Sequence, residues 1–534
     1  MSHANARSIG ILCIPAAGAL LAAGCMVGPD YHAPRMDVPR GWVGTSTAPT
    51  TQQSITTQQE AQVAQWWTSF NDPILDSLIA RAVESNLDLR QATARILQAR
   101  AARGVVSAGL WPTLDGAASF RRSRSGSLST GGGSGGGAGA TGGGASGGGS
   151  ATGAGSVTPA VATGSSGSSG GSSVSTTPKP RNFYQAGLDA AWELDLFGGV
   201  RRGIEAADAD IAATVEDRRA VLVTLTSEVA LNYVQLRGLQ QQIEIAKRNL
   251  EAQRASLRIT QERFKAGEKT TRLDVANAEA QVATTQSGIP LLEATAQQTI
   301  YTLGVLLGRE PGALLAELTP AKAIPSTPPA IPVGLPSDLL RRRPDIRSAE
   351  AQLHAATARI GVATADLFPR FSLTGSGGLQ SSTLKTFGNW DGHFWSVGPS
   401  VSWTIFDAGR IFSNIRVQDA LTQQALIAWQ RTVLTALQDV ESALVAYEKE
   451  QQRRDALIKA VMANRIAVEE ARKLYLAGET DFLNVLSAQR ALLASEDALA
   501  QSDRSIASDL IAIYKALGGG WEMQDQGGQA ARGH

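Results

Sequence analysis

Between Gly199 and Phe264 the sequence has no proline, and an apolar residue returns every seven positions: Val215, Leu222, Val229, Leu236, Ile243, Leu250, Leu257 and Phe264. A heptad sustained over that length specifies one helix with a coiled-coil-like seam. At about 1.5 Å per residue such a helix is ~100 Å long, a rod no compact globular domain needs. A second rod carries Leu426, Val433, Val440, Tyr447, Val461, Val468 and Tyr475 in the same register, broken at Arg454. Gly267 and Gly478 close the two rods, as glycine does just past a helix C-terminus. New helices are expected near Thr271–Leu273 and Asp481–Leu483, running back to Gly308 and Gly518. Each rod thus gains an antiparallel partner across a tight turn.

The rods are parts of a duplication. Asp88–Pro112 (DLRQATARILQARAARGVVSAGLWP) aligns without a gap on Asp345–Pro369 (DIRSAEAQLHAATARIGVATADLFP). Phe264-Lys-Ala-Gly267-Glu matches Tyr475-Leu-Ala-Gly478-Glu, and Leu306-Leu307-Gly308 matches Ala516-Leu517-Gly518. A period this long makes the chain two copies of one helix–hairpin–helix–helix unit, at roughly 73–310 and 336–520. Between them, residues 311–335 are rich in proline, which suits a stiff extended crossover.

Within each copy the period shifts from seven to two. Tyr184, Ala186, Leu188, Ala190, Trp192, Leu194 and Leu196 share one face, with Gln185, Asp189, Glu193 and Asp195 on the other. Trp395, Val397, Pro399, Val401, Trp403 and Ile405 alternate with Ser396, Gly398, Ser400, Ser402 and Thr404; segments 113–121 and 370–379 show the period more weakly. Such segments are the signature of membrane β-barrel strands, although a half-buried soluble sheet has the same period. The N-terminus decides for the membrane. Arg7 is followed by the apolar run Ile9–Gly24, and Ala22-Ala23-Gly24 precedes Cys25, so residues 1–24 read as a secretory signal. Four strands cannot close a barrel, and an open sheet edge cannot face lipid. Other subunits must complete it.

The remaining composition excludes more than it proposes. The 49 lysines and arginines nearly balance the 48 aspartates and glutamates, which argues against nucleic acid as a partner. The five histidines are scattered singly and the two cysteines, Cys13 and Cys25, have no disulfide or metal spacing. No nucleophile–base pair, metal set or cofactor loop supports an enzyme, so no cofactor is expected. Residues 126–177 are almost wholly Gly, Ser, Ala and Thr, an insertion in the first hairpin loop that cannot bury apolar surface and is expected to be disordered. Residues 521–534 are expected to be a flexible tail.

Several blocks resemble the TolC-like outer-membrane factor family of efflux systems, lipoprotein branch. These are Cys25-Met-Val-Gly-Pro-Asp-Tyr31-His-Ala-Pro34, Trp66-Trp67-Thr-Ser-Phe70-Asn-Asp72-Pro73-Ile-Leu75, and Gly334-Leu-Pro336-Ser-Asp-Leu-Leu-Arg-Arg-Arg-Pro344-Asp-Ile-Arg347-Ser-Ala-Glu350, in order over nearly the whole mature chain. The proline–arginine segment reads as a helix cap rather than a substrate contact. The resemblance implies an α+β membrane protein. Its trimeric 12-stranded β-barrel, four strands per chain, is continued by a long periplasmic α-helical barrel. It implies diacylation of Cys25 within a lipidated segment 25–72, outer-membrane lipid around the strands, and passive conduction of drugs or other small molecules. It also implies docking of a periplasmic adaptor, bound to an inner-membrane RND-type pump, at the turns carrying Phe264, Gly267, Tyr475 and Gly478. Relatives place gate aspartates after the second tip glycine; here those positions are Asn484 and Ser487, leaving Asp274 and Asp481 as the tip carboxylates. Each of the two carboxylates could equally serve a helix N-terminus. Type I protein secretion by the same fold is the rival function. A periplasmic adaptor would leave the amphipathic strands unexplained.

Overall fold

A computed structural model describes residues 26–43, 55–57, 63–124, 180–268, 270–328 and 330–522. The signal segment, Cys25 and the Gly/Ser tract 126–177 lie outside the described residues.

Among the described residues the helical unit comprises nine helices, eight of them in two matching sets. The first set is α1 (Pro73–Ser85), α2 (Leu87–Ala108), α3 (Gly199–Lys265) and α4 (Arg272–Leu306). A single turn, α5 (Leu315–Leu318), follows, and the second set is α6 (Pro336–Arg342), α7 (Pro344–Ala365), α8 (Arg410–Leu476) and α9 (Phe482–Ala516). The duplication is visible in the lengths: α2 and α7 both have 22 residues, α3 and α8 both have 67, and α4 and α9 both have 35. The first rod buries its heptad from Leu222 to Leu250, while Phe264 is exposed at its end. In the second rod Val433, Val440, Tyr447 and Val461 are buried, and Arg454 at the break is ion-paired to Asp503 of α9.

The main core lies where the sets meet. Trp66, Phe70, Leu75, Leu78 and Ile79 pack with Tyr233, Leu236, Tyr447 and Tyr514, and the Trp66 and Tyr514 rings stack with centroids 5.3 Å apart. Asp72 caps α1 by accepting from the Ile74 amide at 2.9 Å, and Tyr233 Oη donates to its other oxygen at 2.5 Å. Arg343 donates to the Ala516 carbonyl at 2.9 Å and pairs with Asp345 and Asp439, so the proline–arginine segment holds the C-terminal end of α9. The crossover is not extended throughout. A 3₁₀ turn over Pro311–Leu314 and the turn α5 bury Leu314 and Leu318, and Gln240 of α3 donates to the Leu318 carbonyl at 2.7 Å. Two apolar anchors in a proline-rich segment fold it onto the rod. Farther along, Ala330–Pro332 (β4) pairs in parallel with Ile55–Thr57 (β1). Nor does the tail loosen at residue 521, because the Arg219 guanidinium lies 4.5 Å above the Trp521 ring.

The strand unit is one four-stranded sheet in the order β2 (Thr113–Ser123), β3 (Arg181–Leu194), β5 (Arg370–Ser381), β6 (His393–Ser402). β2 and β3 are antiparallel, from Thr113 opposite Ala191 to Ser123 opposite Arg181. On β5 and β6 the polar face is tied across by Ser372–Ser400 (2.6 Å) and Ser376–Ser396 (2.8 Å) hydroxyl pairs. The outer strands β2 and β6 have no partner on their far side among the described residues. Two strands end earlier than their alternation suggests. Leu196 turns back onto the Leu194 carbonyl, and Trp403 leaves β6 to donate its indole N–H to the Leu367 carbonyl. No helix among the described residues is long and apolar enough to cross a membrane.

Candidate functional site

The two rods end in identical turns. After α3, the Gly267 amide donates to the Phe264 carbonyl (3.1 Å) and the Glu268 amide to the Arg263 carbonyl (3.0 Å). After α8, the Gly478 amide donates to Tyr475 (3.0 Å) and the Glu479 amide to Leu474 (3.0 Å). This paired pattern is a Schellman cap, which needs its C′ residue left-handed. Gly267 and Gly478 supply it with φ of 71° and 75°. A side chain there would pay a steric cost of about 1–2 kcal/mol from the backbone alone.

One arginine joins the two turns. Arg263 donates to the Tyr475 carbonyl and lies 4.8 Å over the Tyr475 ring, while its Nε pairs with Glu268 at 2.6 Å. Thr270 and the Tyr475 hydroxyl share a hydrogen bond of 3.3 Å. Tyr475 and Phe482 meet edge to face at 5.5 Å in a small core with Ala278, Val485 and Leu486. Farther along the rods Gln489 donates to Ser256 (2.9 Å) and Arg490 to Gln281 (2.6 Å), again from the second hairpin to the first. Glu496 of α9 receives Arg465 of α8 at 2.8 Å and Asn249 of α3 at 3.0 Å. Burial alone would raise its pKa, but the hydrogen bonds from Arg465 and Asn249 and the Arg248 charge bring it below the usual carboxylate range.

The residues singled out from sequence are thus placed differently from one another. Tyr475 is buried in the tip core, whereas Phe264 is exposed. Asp274 is bound up in its own helix end: its carboxylate accepts from the Thr271 amide and hydroxyl, both at 2.8 Å, and Thr271 Oγ1 accepts from the Asp274 amide. Asp481 is the N-cap of α9 but accepts no side-chain capping bond. With Asn484 and Ser487 it forms an exposed stripe on α9, away from the buried Phe482, Val485 and Leu486. Asn484 donates to the Thr480 hydroxyl. Arg263 and Thr270 escape sequence reasoning. The one available signal was the repeat itself, because Arg263 stands where the second copy has Leu474.

A second arrangement ties the N-terminal segment to the helices. The Val27 amide donates to the Phe197 carbonyl at 3.1 Å. Arg202 of α3 pairs with Asp30 (2.6 Å) and Glu205 (2.7 Å) and donates to the Val27 carbonyl (3.2 Å). Tyr31 stacks on His354 at 4.3 Å and donates to Glu350 at 3.2 Å. Trp42 donates to the Gly334 carbonyl at 3.0 Å. Gly28 lies so close to α7 that a Cβ on it would sit 2.4 Å from the Gly361 Cα. Among the described residues no group of three His, Cys, Asp or Glu side chains could hold a metal ion.

Two stacked copies of a rod-and-hairpin unit, each with two amphipathic strands, have counterparts among known proteins. The family model described as outer membrane efflux protein matches residues 151–309 and 335–519. The chain belongs to the outer membrane efflux protein family. It is 32% identical over 474 residues to the pyoverdine export outer membrane protein OpmQ of Pseudomonas aeruginosa, covering 88% of this chain and 90% of that one. It is 30% identical over 511 residues to the solvent efflux pump outer membrane protein SrpC of Pseudomonas putida, covering 96% and 98%. The outer-membrane channel OprN superposes with a TM-score of 0.78 at 35% identity, covering 93% of this chain and all of that one. The fold is that of the TolC-like channels, and the protein is an outer-membrane efflux channel subunit. Its family is made up of channel proteins, not enzymes.

Proposed function

We propose that three copies of this outer membrane efflux protein form a lipid-anchored duct whose paired hairpin turns receive a periplasmic adaptor, itself joined to an inner-membrane RND-type pump. The observation that carries this reading is the pairing of the two Schellman turns by Arg263 and Tyr475, which presents both repeats as one surface. Around it Phe264, Leu273, Leu476 and Leu483 expose apolar side chains, the chemistry a docking partner would cover. Trimerisation is supported by the four-stranded sheet, whose two unpartnered edge strands need neighbours before they can face lipid. Energy for transport comes from the pump, in keeping with a family made up of channel proteins. Asp481, with Asn484 and Ser487, is the exposed polar stripe near the turns, and Asp481 is the carboxylate we assign to the closed entrance; Asp274 is a capping residue.

The lipid anchor is assigned to Cys25. Met26, the next residue, sits against Gly198 just before α3, so the chain that follows Cys25 is held on the helical unit. Mass spectrometry of the mature N-terminal peptide decides it: a peptide that starts elsewhere without acyl mass removes the anchor. For docking, the Gly267→Val/Gly478→Val variant is expected to assemble in the outer membrane yet lose cross-linking to the adaptor and efflux. Wild-type cross-linking and efflux in that variant would overturn docking at these turns.

A further inference from the structure

The outer end of the first hairpin is rich in positive charge. From Gly116 to Leu188 the sequence has no aspartate or glutamate, but it has Arg121, Arg122, Arg124, Lys179 and Arg181. The β2–β3 register sorts the described arginines onto faces. Leu114, Ala118 and Phe120 lie opposite Ala190, Ala186 and Tyr184, and Arg122 continues that apolar face opposite Asn182, with Arg124 two positions on. Arg121 and Arg181 fall on the other face, with Asp115, Asp189 and Gln185.

On the apolar face the sequence of side chains is that of a membrane crossed from one side to the other. Trp192 marks one limit. Eight residues along β3, or roughly 27 Å of strand, Tyr184 marks the other; at a barrel strand's tilt of about 40° this rises about 20 Å, most of a barrel's apolar band of about 25 Å. There Tyr184 packs on Phe120 at 4.7 Å and on Phe387 at 6.4 Å, an aromatic cluster of the kind that sits at a membrane–water boundary. Arg122 and Arg124 come immediately beyond it, at the strand ends that adjoin no helix in the sequence and are joined by the Gly/Ser loop. Arginine on a lipid-facing strand is costly at mid-depth and tolerated at the interface, where headgroups can pair with it.

We propose that Arg122 and Arg124 bind the phosphate groups of the outer-leaflet glycolipid, fixing the channel against the saccharide headgroup layer. A guanidinium pair two strand positions apart can meet phosphate oxygens bidentately, and the aromatic cluster below takes the acyl–saccharide boundary. The site rests on the outer-membrane reading of the strands and adds to it a defined lipid contact.

The test uses the full-length assembled channel in detergent. Native mass spectrometry measures retention of bisphosphorylated lipid A, of the same lipid with both phosphates removed, and of inorganic phosphate. Wild type should retain the phosphorylated lipid, and Arg122→Ala/Arg124→Ala should weaken retention on the order of tenfold or more. Arg122→Lys/Arg124→Lys should keep most of it, and Arg121→Ala/Arg181→Ala, on the other face, should match wild type. Equal retention by wild type and the Arg122/Arg124 alanine variant, or equal retention of dephosphorylated lipid A by wild type, would overturn the site. Displacement of the lipid by inorganic phosphate at matched concentration would overturn the assignment to lipid. The spectrum also reports assembly; should the double variant fail to assemble, Arg124→Ala alone, outside the strand, carries the same comparison. Quenching of tryptophan fluorescence by brominated lipid reports separately whether the strands lie in a bilayer, so a failed headgroup site and a failed membrane reading give different results.

Discussion

Arg263→Ala would weaken the link between the two turns while leaving both Schellman caps in place. Arg263 contributes two interactions between the hairpins: a charged donor on the Tyr475 carbonyl and a guanidinium over its ring. A hydrogen bond from a charged group contributes about 1.5–3 kcal/mol, and a partly exposed cation–π contact about 0.5–1 kcal/mol. The pair with Glu268 lies within one turn and does not join the hairpins, so it is left out. The sum, about 2–4 kcal/mol per subunit, shifts the balance between joined and separated turns by roughly 30-fold to several hundred-fold. Reconstituted in planar bilayers, Arg263→Ala should raise the resting open fraction by a factor in that range, with assembly unchanged. Arg263→Lys should fall between, since lysine keeps the charge but loses the planar stack. Wild-type resting current in a fully assembled Arg263→Ala channel would refute the claim that this residue holds the turns together.

Three further outcomes follow from other sites. Burial, and then the Glu450 charge, push the Asp509 carboxyl up to about 6. A carboxyl raised in the folded state costs stability as pH climbs from its ordinary pKa to the raised one, and that cost stays constant above. Asp509→Asn should therefore stabilise the protein by about 1–2 kcal/mol at pH 8, allowing for partial exposure, and by nothing near pH 3.5; thermal unfolding showing equal gains at both would refute this. Gly28→Ala has no room against Gly361 and has φ of 92°, so residues 26–43 should become protease-sensitive while helix content is kept; unchanged protection would sink the close-contact argument. Asp274→Ala loses its capping box and should cost about 1 kcal/mol of stability with wild-type conductance, whereas Asp481→Ala should alter conductance with little change in stability; the reverse pattern would exchange their roles.

What the sequence discloses follows from which forces are periodic. The heptad from Leu222 to Leu250 is both legible and buried, because a seam must repeat to stay on one face. Alternation located the four strands of the larger sheet, but not β1 and β4, nor where β3 and β6 stop, since those ends are set by single bonds such as Trp403 to the Leu367 carbonyl. The Arg454 break was visible while its partner Asp503 was not, because a salt bridge between helices has no period. Arg263 and Tyr475 are 212 positions apart, and nothing in either turn alone announces the other. Leu314 and Leu318 show the same limit in the crossover, where proline content suggested extension and two buried leucines imposed turns.

The matched lengths of α3 with α8 and of α4 with α9 work as a ruler with coarse graduations. Removing one residue from a rod would turn every later seam position about 100° away from its partner, so a single deletion is not a small change of length. A seam survives only if whole heptads are removed, each shortening a rod by roughly 10 Å, and only if α4 and α9 lose the same segment opposite it. The turns at Gly267 and Gly478 stay level only if both repeats change together. The reach of such a channel across the periplasm is therefore available in steps rather than continuously, and a lineage that needs a different span must alter four helical arms at once.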